Sequence, residues 1–338
     1  MIYFELSYHS FDVMDYLYFW EGENMNLDFF VVMSNLVSLF ALAAAGYLAA
    51  KSGTLKPEAS AHFSVFLLKV TLPCTIFISL AQKEYDPVFV HDSIILIVSG
   101  LIAYIGMLYF ARLVAKPLGV PEGCRGVWAF TCSYNNSGFM GFPVVYELLG
   151  AKGLALAVML NISFNLTAYS FGAVEIGRDS PNHKAEGLDM KGVIFNGINA
   201  AIVLSLIFYF GRLKVPAMAA APITYMSNIT TPLSMVIIGM ALARSHGLEM
   251  LTDWAAWLSA LMRLVVYPVL ICLLLRVIPF GSSPIVGAVF VLIMAMPAAS
   301  VTAVLCEIYH GNMEFAAKVM FIQNVLCIVT IPAVCMLL

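Results

Sequence analysis

The chain has 338 residues, 62% hydrophobic and 11% charged, with a mean hydropathy of +0.92 and a formal net charge of -3. Soluble domains are about 45–50% apolar and about 25% charged, so this chain lacks the polar surface to cover itself in water, and lipid must be its solvent. The small negative charge argues against a nucleic-acid partner, which requires clustered Lys and Arg.

Residues 1–28 form a leader that is not a signal peptide. They carry Glu5, Asp12, Asp15, Glu21, Glu23 and Asp28 with no Lys or Arg, the reverse of a basic n-region. Rings such as Tyr8, Phe11, Phe19 and Trp20 suit a membrane interface. Met25, just before the apolar pattern begins, is a candidate alternative start. A membrane span needs about 20 mostly apolar residues, and ten such runs follow, at about 29–50, 61–81, 93–114, 126–148, 153–175, 192–211, 220–244, 255–277, 285–307 and 315–338. Turn residues and charges separate them, as in Lys51-Ser52-Gly53, Lys116-Pro117-Leu118-Gly119 and His310-Gly311-Asn312. The connector 176–191 is the longest and most polar, and it divides the chain into five spans on each side, 29–175 and 192–338.

Positive charge in the loops sets orientation. Lys51, Lys56, Arg112, Lys116, Arg125, Arg178, Lys184, Lys191 and Arg244 fall on one side; Lys83, Lys152, Arg212, Lys214 and Arg276 fall on the other. The richer side is assigned to the cytoplasm, which makes 176–191 a cytoplasmic linker and puts both termini outside a plasma or cytoplasmic membrane. The halves also echo each other. Tyr146-Glu147-Leu148-Leu149-Gly150 closes the fourth span much as Cys306-Glu307-Ile308-Tyr309-His310-Gly311 closes the ninth. Amides then follow in both, Asn161 and Asn165 in the first half and Gln323 and Asn324 in the second. Two repeats of an odd number of spans must be inverted in the bilayer, an arrangement typical of secondary transporters.

The strongest local signal lies in the fourth span, Cys132-Ser133-Tyr134-Asn135-Asn136-Ser137-Gly138-Phe139-Met140-Gly141-Phe142-Pro143. Pro143 removes one backbone donor and blocks another bond, and unpaired backbone in hydrocarbon costs several kcal/mol per group. Such a break persists only against protein or a wet cavity. The ninth span breaks at the matching depth, at Ala295-Met296-Pro297-Ala298-Ala299-Ser300-Val301-Thr302. Paired discontinuous spans in corresponding positions point to a transport site. Half-helices begun after Pro143 and Pro297 would aim their positive ends at the crossing and hold a carboxylate there, with Asn135 or Asn136 donating hydrogen bonds.

Asn136-x-x-x-Met140-Gly141-x-Pro143 resembles the fourth-helix motif of the auxin efflux carrier family, which includes the plant PIN carriers and bacterial relatives. Met296 to Thr302 followed by Glu307-Ile308-Tyr309 resembles that family's ninth-helix segment, and Leu72-Pro73, Thr231-Pro232-Leu233 and Gly239-Met240 also fit. The resemblance covers about residues 29–338. It implies an all-α polytopic membrane protein of ten transmembrane helices, built as two inverted five-helix repeats with broken, crossing helices 4 and 9. That architecture is shared with bile-acid sodium symporters. It further implies a scaffold of helices 1, 2, 6 and 7, a transport domain of helices 3–5 and 8–10 moving as an elevator, small organic anions as substrates, and a homodimer through the scaffold. The short 176–191 linker departs from the long loop of the plant carriers, and the pattern around Ala298 and Ala299 differs from theirs.

Among intramembrane charges, Arg263 sits centrally in the eighth span, where insertion costs roughly 2.5–3.5 kcal/mol. It is read as a partner of Glu175 or of the substrate, or as a structural anchor. Glu175 and Lys318 are further candidates for charge or coupling; coupling to H⁺ or Na⁺ is open, and no cofactor is expected. The six His residues are scattered with no HExxH, so no metal site is expected, and no constellation supports an enzyme. Seven Cys residues include no CxxC pair. The rival to a transporter is a membrane sensor that binds a ligand without moving it.

Overall fold

The structure, a computed structural model, describes residues 29–179, 197–244, 251–278 and 280–338. The leader at 1–28, most of the 176–191 connector, residues 192–196 of the sixth span and the turn at Ser245-His246-Gly247 lie outside the described residues. What is described is helical, with no strand among the described residues beyond one antiparallel bridge, Asn135 to Ala298.

Among the described residues, seven helices are long and apolar enough to cross a membrane. One of them, Ser137–Gly177, has 41 residues and would be about 62 Å long if straight, twice the hydrocarbon thickness. It does not run straight. Gly150 has φ 64° and ψ -162°, a conformation closed to residues with a Cβ, and there the chain turns back. Counting that turn, the elements are α1 (Phe29–Lys51), α2 (57–81), α3 (Pro87–Ala115), α4 (Arg125–Ser133), α5 (137–149), α6 (151–177), α7 (Gly197–Phe210), α8 (Ala217–Arg244), α9 (254–275), α10 (Pro284–Met294), α11 (Val301–Ile308) and α12 (Met313–Cys335).

Proline shapes three of these helices without breaking them. Pro73, Pro143 and Pro268 each follow a π-helical turn, at Leu67–Thr71, Ser137–Gly141 and Met262–Val266. The residue before each proline donates its N–H five residues back, to Leu67, Ser137 and Met262. A proline ring clashes with the carbonyl four residues earlier, and the wider turn moves that carbonyl aside.

The helices sort into two packed groups. In one, α8 runs along α1 and α2, and α7 packs on α2. Lipid supplies no hydrophobic drive between helices, so close backbone approach matters there. A Cβ on Gly239 of α8 would stand 1.8 Å from the Ala43 carbonyl oxygen, and one on Gly46 of α1 would stand 2.3 Å from that of Val236. In the other group, α3 packs on α4 and on the 142–167 stretch of α5 and α6, α10 packs on that same stretch, and α9 on α12. Buried polar ties hold this second group at both ends. The Asp92 carboxylate of α3 accepts from the N–H and hydroxyl of Ser282, at 2.8 and 2.6 Å, just before α10. At the opposite end the Asp179 carboxylate accepts from the N–H groups of Gly126 and Val127, both at 2.8 Å, and so caps α4.

Candidate functional site

The helix pairs α4/α5 and α10/α11 are each interrupted inside the second group, and the two interruptions meet. Tyr134, Asn135 and Asn136 leave the helical path between α4 and α5; residues 295–300 do so between α10 and α11. The extended strips pair antiparallel. The Asn136 N–H donates to the Pro297 carbonyl at 2.7 Å, and the Ala299 N–H donates to the Tyr134 carbonyl at 3.0 Å. Each break therefore satisfies part of the other's stranded backbone, as a non-helical segment at membrane depth requires.

Asn136 caps α5. Its Oδ1 accepts from the Phe139 N–H at 3.2 Å, and its Nδ2 donates to the Ser300 hydroxyl, the N-cap residue of α11, at 2.9 Å. The N-termini of the two half-helices are thus linked through their caps. Each brings first-turn N–H groups that no helix satisfies internally and about half a positive charge. They line a cavity of 60 Å³ together with Asn135, Ser137, Gly138, Asn161, Asn165, Ala299 and Val301. A space of that size holds a few waters or a carboxylate group. Apolar side chains of Leu72, Phe139, Phe142 and Phe164 close it.

The amides around the cavity are unequally committed. Asn135 spends its side chain on structure: Tyr104 Oη donates to its Oδ1 at 3.1 Å, and its Nδ2 donates to the Ile293 carbonyl at 2.6 Å. Ser137 donates to Asn161 Oδ1 at 2.6 Å, which leaves the Asn161 amide hydrogens for another partner. Asn165 donates to Asn199 Oδ1 at 2.9 Å. Asn199 was absent from the expected site; an amide at the start of an apolar run gave no sign of which way it faced.

Only one of the two half-helices begins after its proline. α5 starts at Ser137, six residues before Pro143, because the π turn absorbs the proline and Asn136 supplies the cap. Pro297 lies inside the other break and α11 starts at Val301. Pro143 instead lines a second, larger space of 790 Å³, the vestibule, between α1, α2 and α8 on one side and α5 with the start of α6 on the other. Its walls include Asn35, Ser38, Thr75, Asn228 and Thr231, with Glu147, Lys83 and Lys152 toward one end. Phe142 borders both spaces. Polar residues at helical spacing in the second and seventh spans, Thr75-Ser79 and Ser227-Thr231, are the signal in the sequence for this wall.

Several expected site residues support the crossing rather than face its cavity. Gln323 Oε1 accepts from the Ala298 N–H at 2.7 Å, and its Nε2 donates to Ser259 at 3.0 Å. The Thr302 hydroxyl donates to the Ala299 carbonyl. Met140 and Met296 are buried, and Cys327 Sγ lies 3.8 Å from Met140 Sδ. Asn324 leaves its Oδ1 unpartnered among the described residues.

Among the described residues Arg263 is the one charge at the crossing, fully buried. Glu175 is not its partner; that carboxylate pairs with Arg178 at 3.0 Å and Arg112 at 3.6 Å. Arg263 Nε donates to the Met296 carbonyl at 2.9 Å, and Nη1 to the Ser133 carbonyl at 3.0 Å. It therefore serves the stranded carbonyls at the end of α4 and in the second break, where a cation is favoured. Lys318 sits at the start of α12, 2.7 Å from Glu314 and 3.9 Å from Asp253, and not at the crossing. Among the described residues no group of His, Cys, Asp and Glu is arranged to hold a metal.

A multi-span helical protein whose two interrupted helices meet cap to cap is built as a membrane transporter. Residues 31–335 match the family described as membrane transport protein, and the chain belongs to it, the family of the auxin efflux carriers that the crossing motifs resemble. An uncharacterized transporter of Methanothermobacter thermautotrophicus is 26% identical over 300 residues, covering 88% of this chain and 95% of that protein. An uncharacterized transporter of Methanocaldococcus jannaschii is 22% identical over 312 residues, covering 89% and 97%.

Proposed function

We propose that this protein is a secondary active transporter of a small organic anion, with a carboxylate held at the N-termini of α5 and α11. The observation that carries this reading is the Asn136–Ser300 link, which brings two positive helix ends to one small cavity with no fixed carboxylate lining it. Binding by N–H groups and amides rather than a free cation is moderate, which suits a ligand that must also leave. Asn161, with amide hydrogens left over, is the best-placed side-chain donor from outside the breaks.

The scaffold is α1, α2, α7 and α8, and the second packed group is the transport domain, which moves against it as an elevator. Support comes from the vestibule, whose polar wall lies along the seam between the groups, and from the ties of the two breaks to Tyr104, Arg263 and Gln323 of the second group. Two inverted five-span repeats fit the matched features: N-cap Asp86 before α3 and N-cap Asp253 before α9, and a break in each half. The assembly is a homodimer through the scaffold, with both termini outside. Coupling to H⁺ or Na⁺ is not assigned to a residue, since Glu175 and Lys318 are held in ion pairs away from the cavity.

Counterflow of labelled malonate in proteoliposomes tests the reading against a membrane sensor. Exchange that saturates, and that unlabelled carboxylate drives, is the expected result. Binding without accumulation would mark a sensor instead.

A further inference from the structure

Beyond the vestibule lies a third cavity, of 650 Å³, between the turn from α2 to α3 and the turn from α7 to α8. Its lining includes Gln82, Lys83, Glu84, Tyr85, Arg212 and Lys214, so three cations face one carboxylate. None of the three cations forms an ion pair among the described residues.

Two of the cations are held in place by rings. The Arg212 guanidinium lies 4.8 Å from the centre of Tyr85, and Lys83 Nζ lies 4.7 Å from that of Phe89. An aromatic face fixes a cation from one side and leaves its N–H groups open on the other. The backbone at Arg212 is a further sign. The Leu213 N–H donates to the Phe208 carbonyl and the Arg212 N–H to that of Tyr209, the pattern of a Schellman cap on α7. Arg212 occupies its left-handed position at φ 51°, which normally goes to glycine, while Gly211 stands one place too early. A generic attraction of a cation to a helix C-terminus accounts for Arg212 alone, and not for the convergence of Lys83 and Lys214 on the same cavity.

Tyr85, Phe208 and Phe210 surround this place with the rings typical of the headgroup layer. Gln82 and Lys83 line both this cavity and the vestibule. We propose that the cavity is an oxyanion-binding site separate from the crossing. It takes a carboxylate or phosphate group lying at headgroup depth, presented by a free organic anion or by an anionic lipid. The inference rests on uncompensated charge and stands whether or not the crossing binds substrate.

The test uses full-length protein in neutral detergent and follows melting temperature with two probes, malonate and short-chain phosphatidylglycerol, with short-chain phosphatidylcholine as control. The Asn136→Ala background removes the crossing as a competing site, and Arg212→Gly with Lys214→Gln is added to it. Arg212→Gly keeps the cap and relieves its left-handed residue, so the added pair should not lower the melting temperature without ligand. At least one anionic probe should bind in the Asn136→Ala background, weaken with added salt, and lose about tenfold or more in affinity when Arg212 and Lys214 are changed. Dependence with malonate alone identifies a free anion; dependence with phosphatidylglycerol alone identifies a lipid headgroup. Absence of anionic-probe binding in the Asn136→Ala background, or binding indifferent to Arg212 and Lys214, overturns the site. A difference between wild type and Asn136→Ala reports separately on the crossing.

Discussion

The two interrupted helix pairs reach one backbone arrangement with different chemistry. Between α4 and α5 the break carries two amides, and Asn136 both caps its own half-helix and reaches the other. Between α10 and α11 the break is residues 295–300, apolar up to its N-cap Ser300, and its other polar needs are met from outside by Gln323, Arg263 and the facing break. The first break supplies side-chain donors; the second supplies backbone and relies on support. A ligand site at the crossing should therefore be sensitive in function at Asn136 and sensitive in stability around Met296 to Ala299.

Removing Arg263 is the strongest way to test that division. Arg263→Ala strands the carbonyls of Ser133 and Met296 inside the protein and should cost about 2–6 kcal/mol, from about 1–3 for each carbonyl, read as lost expression or a large fall in melting temperature. Near-normal stability would mean the guanidinium is not the anchor. Gln323→Leu leaves the Ala298 N–H without its acceptor and should cost about 1–3 kcal/mol. A thermal shift against wild type measures it, and a neutral result would point to water in the place of the amide. Asn136→Ala should abolish transport, while the lost cap costs only about 1 kcal/mol of stability in unfolding experiments. Full transport by that variant would end the distinction between the two breaks. Ser300→Ala removes the link alone and should lower transport by roughly tenfold with little change in melting. If Ser300→Ala behaved like Asn136→Ala in transport, the link rather than the amide would be the working part.

Much of the fold was legible because a bilayer demands long apolar runs and punishes broken ones. The span limits follow α1, α3 and α8 closely, and Gly150 to Gly153 marked the turn between α5 and α6. The break positions were less legible. The 132–143 signal contains the break, but its proline marks the wrong end of it: a π turn accommodates Pro143, and the path changes at Tyr134 to Asn136. Asn161 and Asn165 were readable as amides after a break, and the structure brings both to the small cavity. Arg263 reads as an anchor among other roles, but its partners and those of Gln323 were not readable, because bonds to backbone groups 25 or 33 residues away leave no local pattern.

The central claim, that a small carboxylate is held at the crossing, is tested most directly by melting temperature against a panel of mono- and dicarboxylates, with and without Na⁺. A ligand at 100 times its dissociation constant adds about 2.7 kcal/mol to stability, enough to measure. The account predicts stabilisation by at least one carboxylate in wild type and its loss in Asn136→Ala. Stabilisation that survives in Asn136→Ala undiminished, or none with any carboxylate, would contradict it.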